Sequence, residues 1–223
     1  MTERDQIIEL RCYQVKPGLM REWIDAFNNE VVPINKDNDA RLLGSGINSS
    51  AENEFIWFRG FKNAEHREKT RSLIYEGSPW LKIQDRIRGM LELDSRSETL
   101  LKHNEFWEPY EYLIKNEEKK EIQELRTYTI ESGRMSDWIR LFNTKIAPLH
   151  FKYDVSIHGS FVVSSDPDKF VWVRSFKDEE HQKISNKDIY QGKEWALIQE
   201  SVRDVLKDYS DNKVITSINW FAD

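Results

Sequence analysis

Cysteine is almost missing from this chain: Cys12 stands alone among 223 residues. An internal disulfide and any cysteine-built metal site are thereby excluded. Long apolar runs are missing too. None approaches the roughly 20 residues that span a bilayer, and the opening Met1-Thr2-Glu3-Arg4-Asp5-Gln6 has no signal-peptide pattern. A cytoplasmic protein without a membrane span is expected. Nor is there an excess of positive charge. Lys and Arg number 33 against 39 Asp and Glu, a net −6, so phosphate backbones are not attracted and nucleic acid is not an expected partner. No H-E-x-x-H spacing, G-x-S-x-G elbow or P-loop glycine pattern occurs, and no metal is expected. Aromatic residues, by contrast, are plentiful. Eight Trp, eight Tyr and eleven Phe can build cores from few positions, since each buries a large apolar area.

The chain repeats itself at a constant offset of 115 residues. Glu9-Leu10-Arg11-Cys12-Tyr13 returns as Glu124-Leu125-Arg126-Thr127-Tyr128, and Trp23, Phe27 and Pro33 return as Trp138, Phe142 and Pro148. Phe55, Trp57, Arg59 and Phe61 return as Phe170, Trp172, Arg174 and Phe176; Glu65-His66, Tyr75 and Trp80 return as Glu180-His181, Tyr190 and Trp195. A period of this length is the size of a small domain and too long for a solenoid unit. Two homologous domains are read, 5–110 and 120–223, with Lys115–Lys120 as the linker.

Within each repeat the hydrophobic period changes in a fixed order. Ile7 to Val15 alternates as a strand, and Leu19, Trp23, Phe27 and Val31 form the stripe of an amphipathic helix with Pro33 late in it. In the second repeat that helix is expected to end near Pro148. Arg41–Asn48 and Phe55–Phe61 read as strands across a turn. A helix capped by Asn63, or by Asp178 in the second repeat, follows. It breaks at Glu76-Gly77-Ser78-Pro79 and resumes from Trp80, before a last strand near Thr99–Trp107 or Val214–Phe221. The order β-α-β-β-α-β predicts an α+β fold of two ferredoxin-like repeats. The uncovered faces of two such sheets are expected to close into a pseudo-dimeric α/β barrel.

Strand parity places Phe55, Trp57, Arg59 and Phe61 on one face of the third strand, with Glu9, Arg11 and Tyr13 matching them on the first. This polar, aromatic face is expected to point into the barrel, with the Cys12 face under the helices. An arginine there must be paired or wet, and Glu9 and Glu124 are the nearest partners. An internal salt-bridge network and an anion site are both compatible with that pattern.

Glu124-Leu125-Arg126-x-Tyr128, then Gly133, Trp138, Phe142, Pro148, the Gly159 strand, Phe170 to Phe176, Glu180-His181, Tyr190 and Trp195 together resemble a NIPSNAP domain, and the first repeat carries the same marks. The resemblance implies the dimeric α/β-barrel fold and little chemistry. Related barrels include haem-degrading and cofactor-independent monooxygenases, in which a tryptophan and a histidine line a pocket. Here Trp57 precedes His66, and Trp172 precedes His181, by nine residues. His150, which replaces Asn35, confines any role of that histidine to the second repeat.

Three functional readings stand. In the first, the barrel binds a small organic, anionic ligand through Arg11, Tyr13, Trp57, Arg59 and Tyr75, or through Arg126, Tyr128, Trp172, Arg174 and Tyr190, without a cofactor. In the second, the protein is a monooxygenase-like enzyme using His66 or His181, with haem as the alternative cofactor; fold analogy is its main warrant. In the third, the barrel is packed shut and serves assembly, for which a homodimer of the whole chain is compatible.

Overall fold

The computed structural model describes residues 6–51, 53–104 and 122–220. The expected linker at Lys115–Lys120 and the expected strand end at Glu105–Trp107 lie outside them. Eight strands hydrogen-bond in the order β1-β3-β2-β8-β5-β7-β6-β4 and close as a barrel. By contacts the chain divides into two units, with the division falling between Leu101 and Lys102 and again between Thr216 and Ser217.

The first unit contains β1 (Ile7–Gln14), α1 (Met20–Ala26), α2 (Val32–Asp37), β2 (Arg41–Asn48) and β3 (Glu54–Phe61). It continues through α3 (Ala64–Glu76) and α4 (Ser78–Gly89) into β4 (Ser97–His103). β1 pairs antiparallel with both β3 and β4, and β2 pairs with β3. The order β4-β1-β3-β2 is that of a βαββαβ unit. The second unit repeats it with β5 (Ile122–Ile130), α5 (Met135–Leu141), α6 (Ala147–Lys152), β6 (Ser156–Val163) and β7 (Asp166–Phe176). Then come α7 (Glu179–Tyr190), α8 (Lys193–Val205) and β8 (Leu206–Trp220), with β5 between β7 and β8.

The late proline does not end the first helix of either repeat. Between α1 and α2 the chain makes a π turn, Phe27–Val31, and between α5 and α6 another, Phe142–Ile146. Pro33 and Pro148 then occupy the first turn of the next α segment, where a missing N–H costs nothing. The helices run on to Asp37 and Lys152. Such π turns release main-chain carbonyls from the regular ladder and are frequent at functional sites.

Asn63 and Asp178 cap the following helices as expected, each side chain accepting the N–H of the histidine three residues on. At the break that follows, Gly77 and Gly192 sit so close to the preceding turn that a Cβ would lie 2.5 Å from a backbone oxygen, that of Leu73 or Asp188.

The expected direction of the sheet faces is reversed. Tyr13, Phe55 and Trp57 pack with Trp23, Phe27 and Val31 of the first helix and Ile87 of α4. Tyr128, Phe170 and Trp172 pack likewise with Trp138, Phe142 and Val202. The polar, aromatic face therefore lies under the helices, and Ile8, Leu10, Ile56 and Phe58 occupy the other face, as does Cys12. The reason is that the helices bring their own polar groups inward, at Asn35, Arg67 and Tyr75, and these satisfy the strand charges.

Candidate functional site

Glu9 organises the polar part of this layer. It is fully buried on β1 and accepts from Arg59 Nε at 2.6 Å, Arg67 Nε at 2.6 Å and Arg11 Nη1 at 3.2 Å. Glu98 on β4 takes Arg11 at 2.8 Å and Arg71 at 2.9 Å. Burial opposes the ionisation of Glu9, yet the guanidiniums of Arg59, Arg11 and Arg67 hold its carboxyl below the usual range. Arg67 also pairs with the exposed Glu68, so four arginines face three glutamates. The surplus positive charge is met in part by Tyr75, whose hydroxyl accepts from Arg11 Nη1 at 3.0 Å and Arg59 Nη2 at 3.2 Å.

Beside this network lies a cavity of about 130 Å³ between the sheet and the helices of the first repeat. Arg11, Tyr13, Trp57 and Tyr75 line it, together with Trp23 and Trp80. Four of the five ligand residues expected in this repeat therefore meet at one place. Arg59, the fifth, is fully buried and acts on the cavity through Tyr75. Arg88 and Arg96 complete the lining from the exposed side. Neither forms an ion pair with a described residue; Arg96 donates only to the Leu93 carbonyl. Among the described residues, no carboxylate lines the cavity. Three buried donors of its lining residues, Trp23 Nε1, Trp57 Nε1 and Arg11 Nε, have no hydrogen-bond partner among the described residues.

The second repeat assembles the same residues differently. Arg174 donates to Glu124 at 2.6 Å and to the Tyr190 hydroxyl at 3.0 Å. Arg126 Nε donates to the Tyr128 hydroxyl at 2.9 Å instead of engaging Tyr190. Burial pushes the Tyr128 hydroxyl up to about 12 against the pull of Arg126. Gln182 and Asn186 stand where Arg67 and Arg71 stand, so this network has two fewer cations. His150 is fully buried, donates from Nδ1 to the Ile146 carbonyl at 2.7 Å and accepts from Arg174 at 2.9 Å. Burial first, and then Arg174, pulls its pKa down to about 3, so the ring is neutral. Its role is not confined to this repeat. Asn35 makes the matching pair of bonds, to the Val31 carbonyl at 2.8 Å and from Arg59 at 2.9 Å.

His66 and His181 lie elsewhere, at the starts of α3 and α7. Each accepts the backbone N–H four residues earlier through Nδ1. Through Nε2, His66 meets Asp39 and His181 meets the Tyr153 carbonyl, both at 3.1 Å. Neither lines the cavity. Among the described residues, no cluster of three His, Cys, Asp or Glu is placed to hold a metal, and no helix is long and apolar enough to cross a membrane.

A NIPSNAP family profile matches residues 8–106 and again 123–220. The chain belongs to the NIPSNAP family. No curated protein matches it. Over its whole length it is similar in fold to a candidate monooxygenase from Lactobacillus acidophilus, with 11% identity, 96% of this chain and 94% of that one covered, and a TM-score of 0.67. A chlorite dismutase variant from Candidatus Nitrospira defluvii is similar at 9% identity, covering 96% and 92%, with a TM-score of 0.54. An uncharacterised NIPSNAP domain protein from Burkholderia xenovorans matches at 22% identity over 45% of this chain and 97% of its own, with a TM-score of 0.42.

Several residues of this NIPSNAP site are not apparent from strand parity. Asn35 lies on the helix that follows the π turn and is buried there, and Trp23 reads simply as a core residue. Arg88 recurs as Arg203 and so carried a repeat signal, whereas Arg96 has Asp211 at its matching position and carried none.

Proposed function

We propose that the protein binds a small aromatic or other planar organic anion in the cavity of its first repeat. The observation that carries this reading is the charge of the lining: among the described residues it has three arginines, two of them without an ion-pair partner, and no carboxylate. An unpaired cation at the mouth of a shielded pocket attracts an anion more strongly than one in open water. Trp23, Trp57, Trp80 and Tyr13 supply flat apolar walls. The volume suits a single ring, since an apolar cavity of about 150 Å³ holds benzene.

A haem does not fit this place. The cavity volume of about 130 Å³ is that of one ring, whereas a porphyrin joins four.

Native mass spectrometry of the gently purified protein, beside a denatured control, tests for a retained ligand. Calorimetric titration with benzoate then compares the wild type with Arg88→Glu/Arg96→Glu. Binding lost in the double variant, with an unchanged melting temperature, supports the reading. No adduct and no benzoate binding would overturn it in favour of a packed assembly module.

A further inference from the structure

We propose that Tyr75 is a catalytic acid–base group that interconverts the keto and enol forms of an aromatic 2-oxo acid bound in the first-repeat cavity. This rests on the reading of that cavity as a site for aromatic anions, and it assigns the site a reaction.

The cavity lining offers few groups able to move a proton. Its described residues include no carboxylate, histidine, cysteine or lysine, and its arginines stay charged. Tyr13 and Tyr75 remain. Tyr13 is buried, and burial pushes its hydroxyl up. Tyr75 differs in its partners. Its oxygen receives two guanidinium N–H groups, from Arg11 and Arg59, and it donates to no described residue. That is the hydrogen-bond set of a phenolate. Arg71 also lies over its ring at 5.5 Å, and Trp80 packs edge-on at 5.3 Å. Burial and the nearby Glu9 oppose ionisation, but Arg59 and Arg11 outweigh them and hold Tyr75 below the ordinary tyrosine range.

The step balances without a co-reactant. The Tyr75 phenolate takes a proton from the carbon next to the carbonyl. The C–H electron pair becomes the new C=C bond, and the carbonyl π pair moves onto oxygen. Arg11 Nε, Trp23 Nε1 and Trp57 Nε1, the buried donors of the lining without partners among the described residues, suit that developing negative oxygen. The proton held by Tyr75 then passes to the oxygen, which gives the enol and restores the phenolate. Arg88 and Arg96 hold the carboxylate at the mouth. Tyr190 is not equivalent, since among the described residues only Arg174 donates to it.

The test uses the full chain with phenylpyruvate as probe. Proton NMR in D₂O follows exchange of its methylene protons, and calorimetry follows its binding. Wild type and Tyr190→Phe should accelerate exchange, with a rate that rises with pH and levels off as Tyr75 ionises. Tyr75→Phe should bind phenylpyruvate while losing about 10²–10⁴-fold of the rate. As a check independent of that variant's folding, the ring-carbon signal of Tyr75 in ¹³C-tyrosine-labelled wild type should titrate below the usual value. Binding without exchange, retained exchange in Tyr75→Phe, or an ordinary Tyr75 titration would overturn the inference alone. Failure of wild type to bind phenylpyruvate or benzoate would overturn the cavity reading and the inference together.

Discussion

Asn35 and His150 hold matching positions in the two repeats and make the same pair of hydrogen bonds. Each donates to the main-chain carbonyl four residues earlier, at 2.8 and 2.7 Å, and each accepts from the buried strand arginine at 2.9 Å. An amide and a neutral imidazole are interchangeable here because both present one donor and one acceptor at a similar separation. The exchange His150→Asn should therefore change stability by less than about 1 kcal/mol. His150→Leu leaves a buried Arg174 N–H without the His150 acceptor and removes the bond to the Ile146 carbonyl, and should cost about 2–4 kcal/mol. Urea unfolding of the two variants separates them.

The same histidine sets a pH dependence. Its folded pKa of about 3 lies below the unfolded value of about 6.5, so the unfolded chain binds the proton first as pH falls. The groups facing it are Arg174, Arg126, Glu124 and Tyr190. The stability contributed by the neutral ring is complete above about pH 6.5 and is lost progressively from there down to about pH 3. By pH 5 the loss is about 2 kcal/mol. Denaturation midpoints from pH 7 to 5 should fall in wild type and stay nearly level in His150→Asn.

Glu9 anchors the first network and Glu124 the second. Glu9→Gln leaves Arg59, which is fully buried, without its counter-charge and should cost about 3–5 kcal/mol. Breaking the exposed Arg86–Glu30 pair with Arg86→Ala should cost less than about 1 kcal/mol. Chemical unfolding of the two variants checks the contrast.

Most of the architecture is legible in the sequence, because the period of the hydrophobic residues and the 115-residue repeat both survive in single side chains. Trp23 with Trp138, and Arg59 with Arg174, mark the same positions twice. The pairing of Arg59 with Glu9, and of Arg174 with Glu124, follows from strand parity and the cost of a lone buried charge. The direction of the faces does not follow. Alternation says that Trp57 and Arg59 share a face, but which layer covers it depends on helix residues far away in sequence, such as Tyr75 and Arg67. The π turns are equally hidden, since Pro33 reads as a residue late in its helix and Pro148 as a helix end, while the chain absorbs both with one wider turn.

The break between the two helices is tightly packed in both repeats. Gly77→Ala and Gly192→Ala each force a Cβ to within 2.5 Å of a backbone oxygen and should each destabilise by about 1–3 kcal/mol. Gly77→Ala should in addition weaken benzoate binding, because Tyr75 and Trp80 flank it on the cavity wall. Thermal melts and calorimetry on the two variants distinguish these effects.

The most direct test of the account places the ligand. With 5-fluorotryptophan in the full chain, ¹⁹F NMR resolves the indoles, assigned by single Trp→Phe variants. Titration with benzoate should shift Trp23, Trp57 and Trp80, which line the first-repeat cavity, and leave Trp138, Trp172 and Trp195 in place. Shifts confined to the second set, or none at saturating benzoate, would contradict the assignment of the binding site to the first repeat.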